Sequence, residues 1–231
     1  IEITKPFYIS STLVTVDNYL RYQNKKVKGN KFPKTSIEWL EAAKFCNWLS
    51  IAEGFKEFYI FKNNRYSGYD LKANGYRLPT ESEWVWVVKY YNNKKESIFS
   101  WGNKMPIKSN IGNIAGIEMK NKIKKFISGY KDNYDSKSPV KSFPQENSGL
   151  FDITGNTHEW MHDNYELVNF LIPPENIELN RMGPIKKYKG NVIRGSSWKS
   201  SSLRELRLSF RDQSLSGEDD IGFRVVRWIG E

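Results

Sequence analysis

The spacing of apolar residues changes period several times along the chain, and each change marks an element. Phe7-Tyr8-Ile9 is a short run of strand formers. Tyr19, Leu20 and Tyr22 follow Thr15 and Asp17, either of which can cap a short helix. Between Trp39 and Leu49, apolar positions at Leu40, Ala43, Phe45 and Leu49 recur at helical spacing. Ser36 is the predicted cap of that helix, Glu38 falls in its first turn, and Gly54 marks its stop. Residues 55–74 contain Asn63-Asn64 and Gly68 and read as a hairpin or loop at the surface. Thr80 and Glu83 form the Thr-x-x-Glu pattern of a capping box, opening a helix with Trp84, Val87 and Val88. Pro79 biases Leu78 toward extended backbone, so Tyr76-Arg77-Leu78 predicts a short strand before that helix.

From Trp101 to about Pro144 the periodicity disappears and Gly, Asn, Lys and Ser dominate. A segment without a hydrogen-bond ladder must satisfy its backbone through side chains or metal ions. Residues 164–190 carry Pro173-Pro174 and Gly183-Pro184 and read as a second surface insertion. Val192-Ile193 and Phe223–Val225 have strand character. There is no internal repeat. The length of 231 residues suits one domain, 1–231, with insertions near 55–74 and 164–190.

Composition narrows the picture. With 39% hydrophobic and 15% aromatic residues the chain can build a sizeable core. No run of about 18 apolar residues is present, which excludes a helical membrane span. No signal peptide is visible, and Ile1 in place of Met implies residues upstream. The compartment cannot be read. The single cysteine, Cys46, excludes an intrachain disulfide and reads as a core thiol. The net charge of +10 is concentrated at Asn24–Lys26, Lys120–Lys125 and Lys186–Lys189. Those stretches read as solvated surface, with attraction to an acidic partner as the functional alternative. No RNA-recognition, zinc-finger or helix-turn-helix signature accompanies them, so nucleic acid is not the expected partner.

Four runs carry more information than composition. They are Gly75-Tyr-Arg-Leu-Pro-Thr-Glu-Ser-Glu-Trp84, Gly149-Leu-Phe-Asp-Ile-Thr-Gly-Asn-Thr-His-Glu-Trp160, Val192-Ile-Arg-Gly-Ser-Ser-Trp198 and Ile221-Gly-Phe-Arg-Val-Val226. In this order, and with Leu13-Val14-Thr15 and the Trp39–Leu49 helix before them, the chain resembles the formylglycine-generating enzyme, or sulfatase-modifying factor, domain family. The resemblance extends from Phe7 to Arg227. It implies an α+β fold of C-type-lectin type: a small twisted antiparallel sheet, two helices and a large irregular fraction.

The resemblance also implies two calcium sites. One would use Asn110, Ile111, Asp132 and Tyr134. The other would use Thr154, Gly155, Asn156, Thr157 and Glu159. Carboxylate, amide and backbone oxygens suit a hard cation. The alternative role for Asn156 and Glu159 is to hydrogen-bond the loop backbone. Enzymes of the family oxidise a sulfatase cysteine to formylglycine with two cysteines placed just beyond the Gly-Gly-Ser-Trp run, and these bind copper. Here that stretch is Lys199-Ser-Ser-Ser-Leu-Arg-Glu205. Ser200 stands near the first cysteine position, and the second falls near Leu203 or Arg204. Serine is no soft ligand, so copper is not expected. The family's iron-dependent branch relies on a histidine-bearing domain, and this chain has two histidines.

Those two lie in His158-Glu159-Trp160-Met161-His162, a literal H-E-x-x-H. On a helix it would point to a zinc hydrolase. Gly155-Asn156 just before it breaks a helix, which argues against that reading. No Gly-x-Ser-x-Gly elbow accompanies Ser196-Ser197 or Ser200–Ser202. The expected function is therefore a non-catalytic binding or regulatory module for a protein or peptide. Ser197, Trp198, Ser200, Arg204, Arg207 and Arg211 are the candidate ligand contacts. A protein-modifying oxidase with altered metal chemistry is the alternative.

Overall fold

In the computed structural model the described residues are 1–91, 97–105, 107, 109–167, 177–183 and 190–229. The elements in chain order are β1 (Phe7–Ile9), α1 (Val16–Tyr22), α2 (Trp39–Ala52), β2 (Tyr59–Lys62), β3 (Arg65–Tyr69) and α3 (Glu81–Lys89). A single 3-10 turn, Ile117–Met119, interrupts the irregular middle. β4 (His158–Asn164), β5 (Asn191–Arg194), β6 (Arg211–Ser214), β7 (Ile221–Gly222) and β8 (Val226–Trp228) follow.

Local signals predict the helix starts well where a cap is built. Thr15 closes a capping box with Asn18, and Thr80 closes one with Glu83. The start of α2 differs. Ser36 sits at φ +55 and caps nothing, and Glu38 occupies the cap position without a side-chain bond to the helix. The described residues hold three α-helices rather than two. Tyr76–Leu78 is not a strand; Arg77 alone bridges Val226. Phe223–Val225 falls between β7 and β8, so the strand there begins three residues later than its composition suggests. The loop or hairpin expected over 55–74 is the β2–β3 hairpin, turning at Asn63-Asn64, both with positive φ.

The main sheet runs β6-β5-β4-β7. It is mixed rather than wholly antiparallel, because β7 lies parallel to β4. β4 is buried on both faces and divides the core. Alternate residues point to opposite sides. Trp160 packs with Phe45, Cys46, Leu78 and Phe223 of the larger cluster. Met161 packs with Trp84, Val87, Val88 and Val192, beneath α3. A third cluster of Phe99, Ile114, Tyr130 and Leu206 anchors the irregular middle. Cys46 is fully buried, and burial pushes its thiol well up, as a core thiol requires. The insertion expected over 164–190 lies largely outside the described residues. No helix among the described residues is long and apolar enough to cross a membrane.

Candidate functional site

The Gly149–Trp160 run forms a turn that leads into β4, and its polar side chains are turned inward. Gly155, at φ +79, lies so close to Asn113 that a Cβ would come within 1.8 Å of the Asn113 carbonyl oxygen. Asn156 is fully buried. Its Oδ1 accepts from the Ser138 N–H at 3.0 Å, and its Nδ2 donates to the Ser138 carbonyl at 3.2 Å. The Thr154 and Ser100 hydroxyls bond each other, and the Gly155 N–H donates to Ser196 Oγ at 2.8 Å. The Thr157 hydroxyl is buried without a partner.

Glu159 has a different employment from the calcium role expected for it. Arg224 Nε and Nη2 donate to its two oxygens at 2.7 Å each, and Trp84 Nε1 donates at 3.0 Å. The pair is buried, with the remaining guanidinium donors on the Ser10 and Phe151 carbonyls. A carboxylate already held by a guanidinium fork and an indole has little left for a cation. Three of the four motif runs meet here: Trp84 from the first, Glu159 from the second, Arg224 from the last.

The other predicted calcium set is brought together in part. Asp132 Oδ1 accepts from the Tyr134 N–H at 2.8 Å, and Oδ2 accepts from the Ile114 N–H at 2.9 Å. Asn110 is exposed; the residue preceding Ile114 is Asn113, buried, with its Oδ1 unpartnered. Between residues 110 and 114 the Asn-Ile dipeptide occurs twice, three residues apart, and the structure seats the second of these beside Asp132. Sequence reading also missed Glu118. Its Oε1 accepts from the Asp132 and Asn133 N–H groups, while Oε2 is buried without a partner. Burial, with the Glu118 charge a smaller contribution, lifts the Asp132 carboxyl to about 6. Neither acid has a basic partner among the described residues. Two carboxylates, one carrying an orphaned oxygen, and the buried amide oxygen of Asn113 are donors a hard cation accepts. No group of three or more His, Cys, Asp or Glu placed to hold a metal ion is present among the described residues.

The predicted ligand contacts separate into two kinds. Ser197 and Ser200 are buried inside a turn: the Ser197 hydroxyl donates to Asp220 at 2.7 Å, and the Ser200 hydroxyl accepts from the Ser197 N–H at 3.0 Å. Arg211 is held by Glu81 through Nε at 2.6 Å and Nη2 at 2.9 Å, and lies over the Tyr165 ring. These three have structural employment. Trp198 is half-buried with an unpartnered Nε1 and the Lys199 ammonium over its ring. Arg204 and Arg207 are exposed, and Arg207 edges a shallow hollow beside Ser209.

The H-E-x-x-H run lies on β4, not on a helix. Four strand residues span roughly 13 Å, too far for two imidazoles to share an ion. His158 Nδ1 lies 2.8 Å from the Gly195 carbonyl, and His162 Nδ1 lies 3.1 Å from the Tyr59 hydroxyl. Burial, then the nearby Arg77 charge, lowers the His162 pKa to about 3, so the ring is neutral. The zinc reading is overturned.

His162 instead forms part of the floor of a cleft of about 680 Å³. The cleft lies where the start of α2, the β2–β3 hairpin and the β4-β5-β6 sheet meet. Trp39, Tyr66 and Tyr69 supply aromatic walls; Asn164, Asn191 and Ser214 supply polar groups; Leu215 forms an apolar lip. None of these was singled out from sequence. The available signal was the unusual run of tyrosines at 59, 66 and 69 around a hairpin turn.

Comparison with known proteins bears on the family and the fold. The sulfatase-modifying factor enzyme 1-like domain model matches residues 1–229. The inactive C-alpha-formylglycine-generating enzyme 2 of Bos taurus is 26% identical over 210 residues, covering 87% of this chain and 52% of that protein. The formylglycine-generating enzyme of Mus musculus is 26% identical over 198 residues, covering 84% of this chain and 44% of that protein. The chain thus spans about half the length of these curated relatives. Among solved structures, Treponema denticola variable protein 1 superposes with a TM-score of 0.74 at 20% identity, covering 96% of this chain and 84% of that one. Matched along nearly its whole length yet carrying one buried cysteine and no cysteine pair, the chain belongs to the FGE-sulfatase, or sulfatase-modifying factor, family.

Proposed function

We propose that this domain is a non-catalytic binding or regulatory module for a protein or peptide, and that the aromatic cleft is its recognition site. The observation that carries this reading is the fate of the first cysteine position. Ser200 stands near it, 3% exposed, with its hydroxyl accepting from the Ser197 N–H. Copper chemistry needs thiolates, and none is available between Lys199 and Arg211. What remains is a concave surface of ligand size with aromatic walls and a few polar groups, the usual make-up of a binding site. Ser214 and Leu215 line that cleft, while Arg204 and Arg207 do not.

Calcium, in this reading, is a structural ion held by Asp132 and Glu118 with the Tyr134 carbonyl and Asn113. It would neutralise the buried Asp132 and the half-buried Glu118 and pin the irregular middle.

The test has two readouts. With copper and oxygen, the protein should leave a Cys-x-Pro-x-Arg peptide unmodified by mass spectrometry; protein-dependent aldehyde would refute the non-catalytic reading. In affinity capture, a partner retained by the parent should be lost with Tyr66→Leu or Leu215→Asp and kept with Arg204→Ala. The reverse pattern would move recognition to the arginine face.

A further inference from the structure

The cleft's charge and ring geometry say what kind of group it takes. The chain holds 36 Lys and Arg residues, yet none is among the described residues lining the cleft. Among the described residues, the sole formal charge on its lining is the carboxylate of Glu38. Only one Glu38 oxygen has a partner among the described residues, the Gly217 N–H at 3.3 Å. Glu38 also stands at the N-terminus of α2, where the helix end carries about half a positive charge; a full carboxylate there more than offsets it. The floor adds no positive charge, because His162 is neutral at ordinary pH.

The walls suit the same group. The Trp39 and Tyr66 rings meet edge to face, 5.1 Å apart at 76°, and form a corner open to solvent on the Tyr66 side. The Trp39 indole N–H is already spent on the Met161 carbonyl at 2.8 Å, so that ring offers its face and not its donor. A ring face beside a carboxylate attracts a cation through both its quadrupole and the formal charge. Anions have nothing to pair with there except the helix end, which Glu38 screens.

We propose that the cleft binds a basic side chain, guanidinium or ammonium, presented by a protein partner, with Glu38, Trp39 and Tyr66 as the contacts. The proposal rests on the cleft being the recognition site and specifies its ligand. A protein of net charge +10 would thereby exclude most nonspecific acidic partners from this one surface while accepting a cationic residue, a combination suited to selectivity.

Three blocked tripeptides, identical except for a central arginine, citrulline or glutamate, test this by titration followed through tryptophan fluorescence and amide chemical shifts. Citrulline keeps the planar shape of arginine without its charge, with an acceptor oxygen in place of one NH2. Arginine should bind at least tenfold more tightly than citrulline, and glutamate more weakly than either. Glu38→Gln and Tyr66→Leu should each remove most of that preference while retaining the parent's melting temperature; Arg204→Ala should leave it intact. Equal affinity for arginine and citrulline, or preference for glutamate, overturns the proposal but leaves the cleft as a binding site. Amide shifts confined to residues outside the cleft overturn both. Free arginine amide binding as well as the tripeptide would reassign the site to a small-molecule cation and overturn the protein-partner claim.

Discussion

Glu159 shows how far a single position can be read. Its place in a recognisable run marked it as important, and its chemistry as an acid suggested a cation donor. Its actual cation is Arg224, 65 residues away in sequence, and no local pattern announces that pairing. Removing one partner of such a pair leaves the other charged and buried without compensation. Glu159→Gln should therefore cost about 3–5 kcal/mol, read as a lower urea midpoint with an unchanged slope. A loss below about 1 kcal/mol would mean that water reaches Arg224 in the folded protein. The same buried fork recurs at Arg77 and Glu83, where the acid also closes the α3 cap, so this helix start is fixed by both local and long-range bonds.

Among the elements, α3 was legible because its capping box is a local code four residues long, and α1 because Thr15 and Asp17 are both cap-forming residues. The start of α2 was not, since Ser36 has the right chemistry at a backbone angle that forbids the role. The irregular middle was legible only as irregular. Its register turns on which of two Asn-Ile pairs faces Asp132, a choice made by tertiary contact with Gly155 and Ile114. Calcium binding separates the two registers. Chelation should lower the melting temperature and calcium restore it, since a ligand at a hundredfold excess over its dissociation constant adds about 2.7 kcal/mol. Asp132→Asn and Glu118→Gln should each abolish the calcium response, whereas Asn110→Ala should retain it. A melting curve indifferent to chelator would remove the ion from this account, and loss of the response in Asn110→Ala alone would restore the first register.

At the scale of the whole molecule, the buried acids set the pH dependence. Burial lifts the carboxyl of Glu146 to about 8, Asp163 to about 7 and Asp132 to about 6, and it raises Asp152 as well. Each binds its proton more tightly in the folded chain than in the unfolded one, where carboxylates titrate near 4. Their contribution is complete at low pH and fades as pH rises through the folded values. His162 acts oppositely below about 6.5, because only the unfolded chain accepts its proton readily. Glu81 and Glu83 are shifted down: burial alone would raise them, but Arg211 and Arg194, and Arg77, prevail. Their contribution is lost as pH falls below about 4.5. With chelator present, the melting temperature should peak between about pH 5 and 6.5 and decline toward pH 8. Calorimetry showing a maximum above pH 8 would contradict the burial of these acids. The fold class was legible because four runs in fixed order imply it. The cleft was not, because its walls come from a hairpin, a helix start and three strands that only the folded chain assembles.

The pairing of β1 with β8 has a mechanical side. Phe7 faces Trp228 and Ile9 faces Val226, so the two strands run antiparallel from neighbouring chain ends. Tension applied between those ends loads the hydrogen bonds one rung at a time, as in a zip, rather than all together in shear. The seam leads inward past the Ser10 N–H bond to Val225 and the Val14 N–H bond to Phe223, directly toward Arg224. Under traction the domain would thus yield from its closing ribbon toward the buried fork, with Arg224 acting as the stop on the tear.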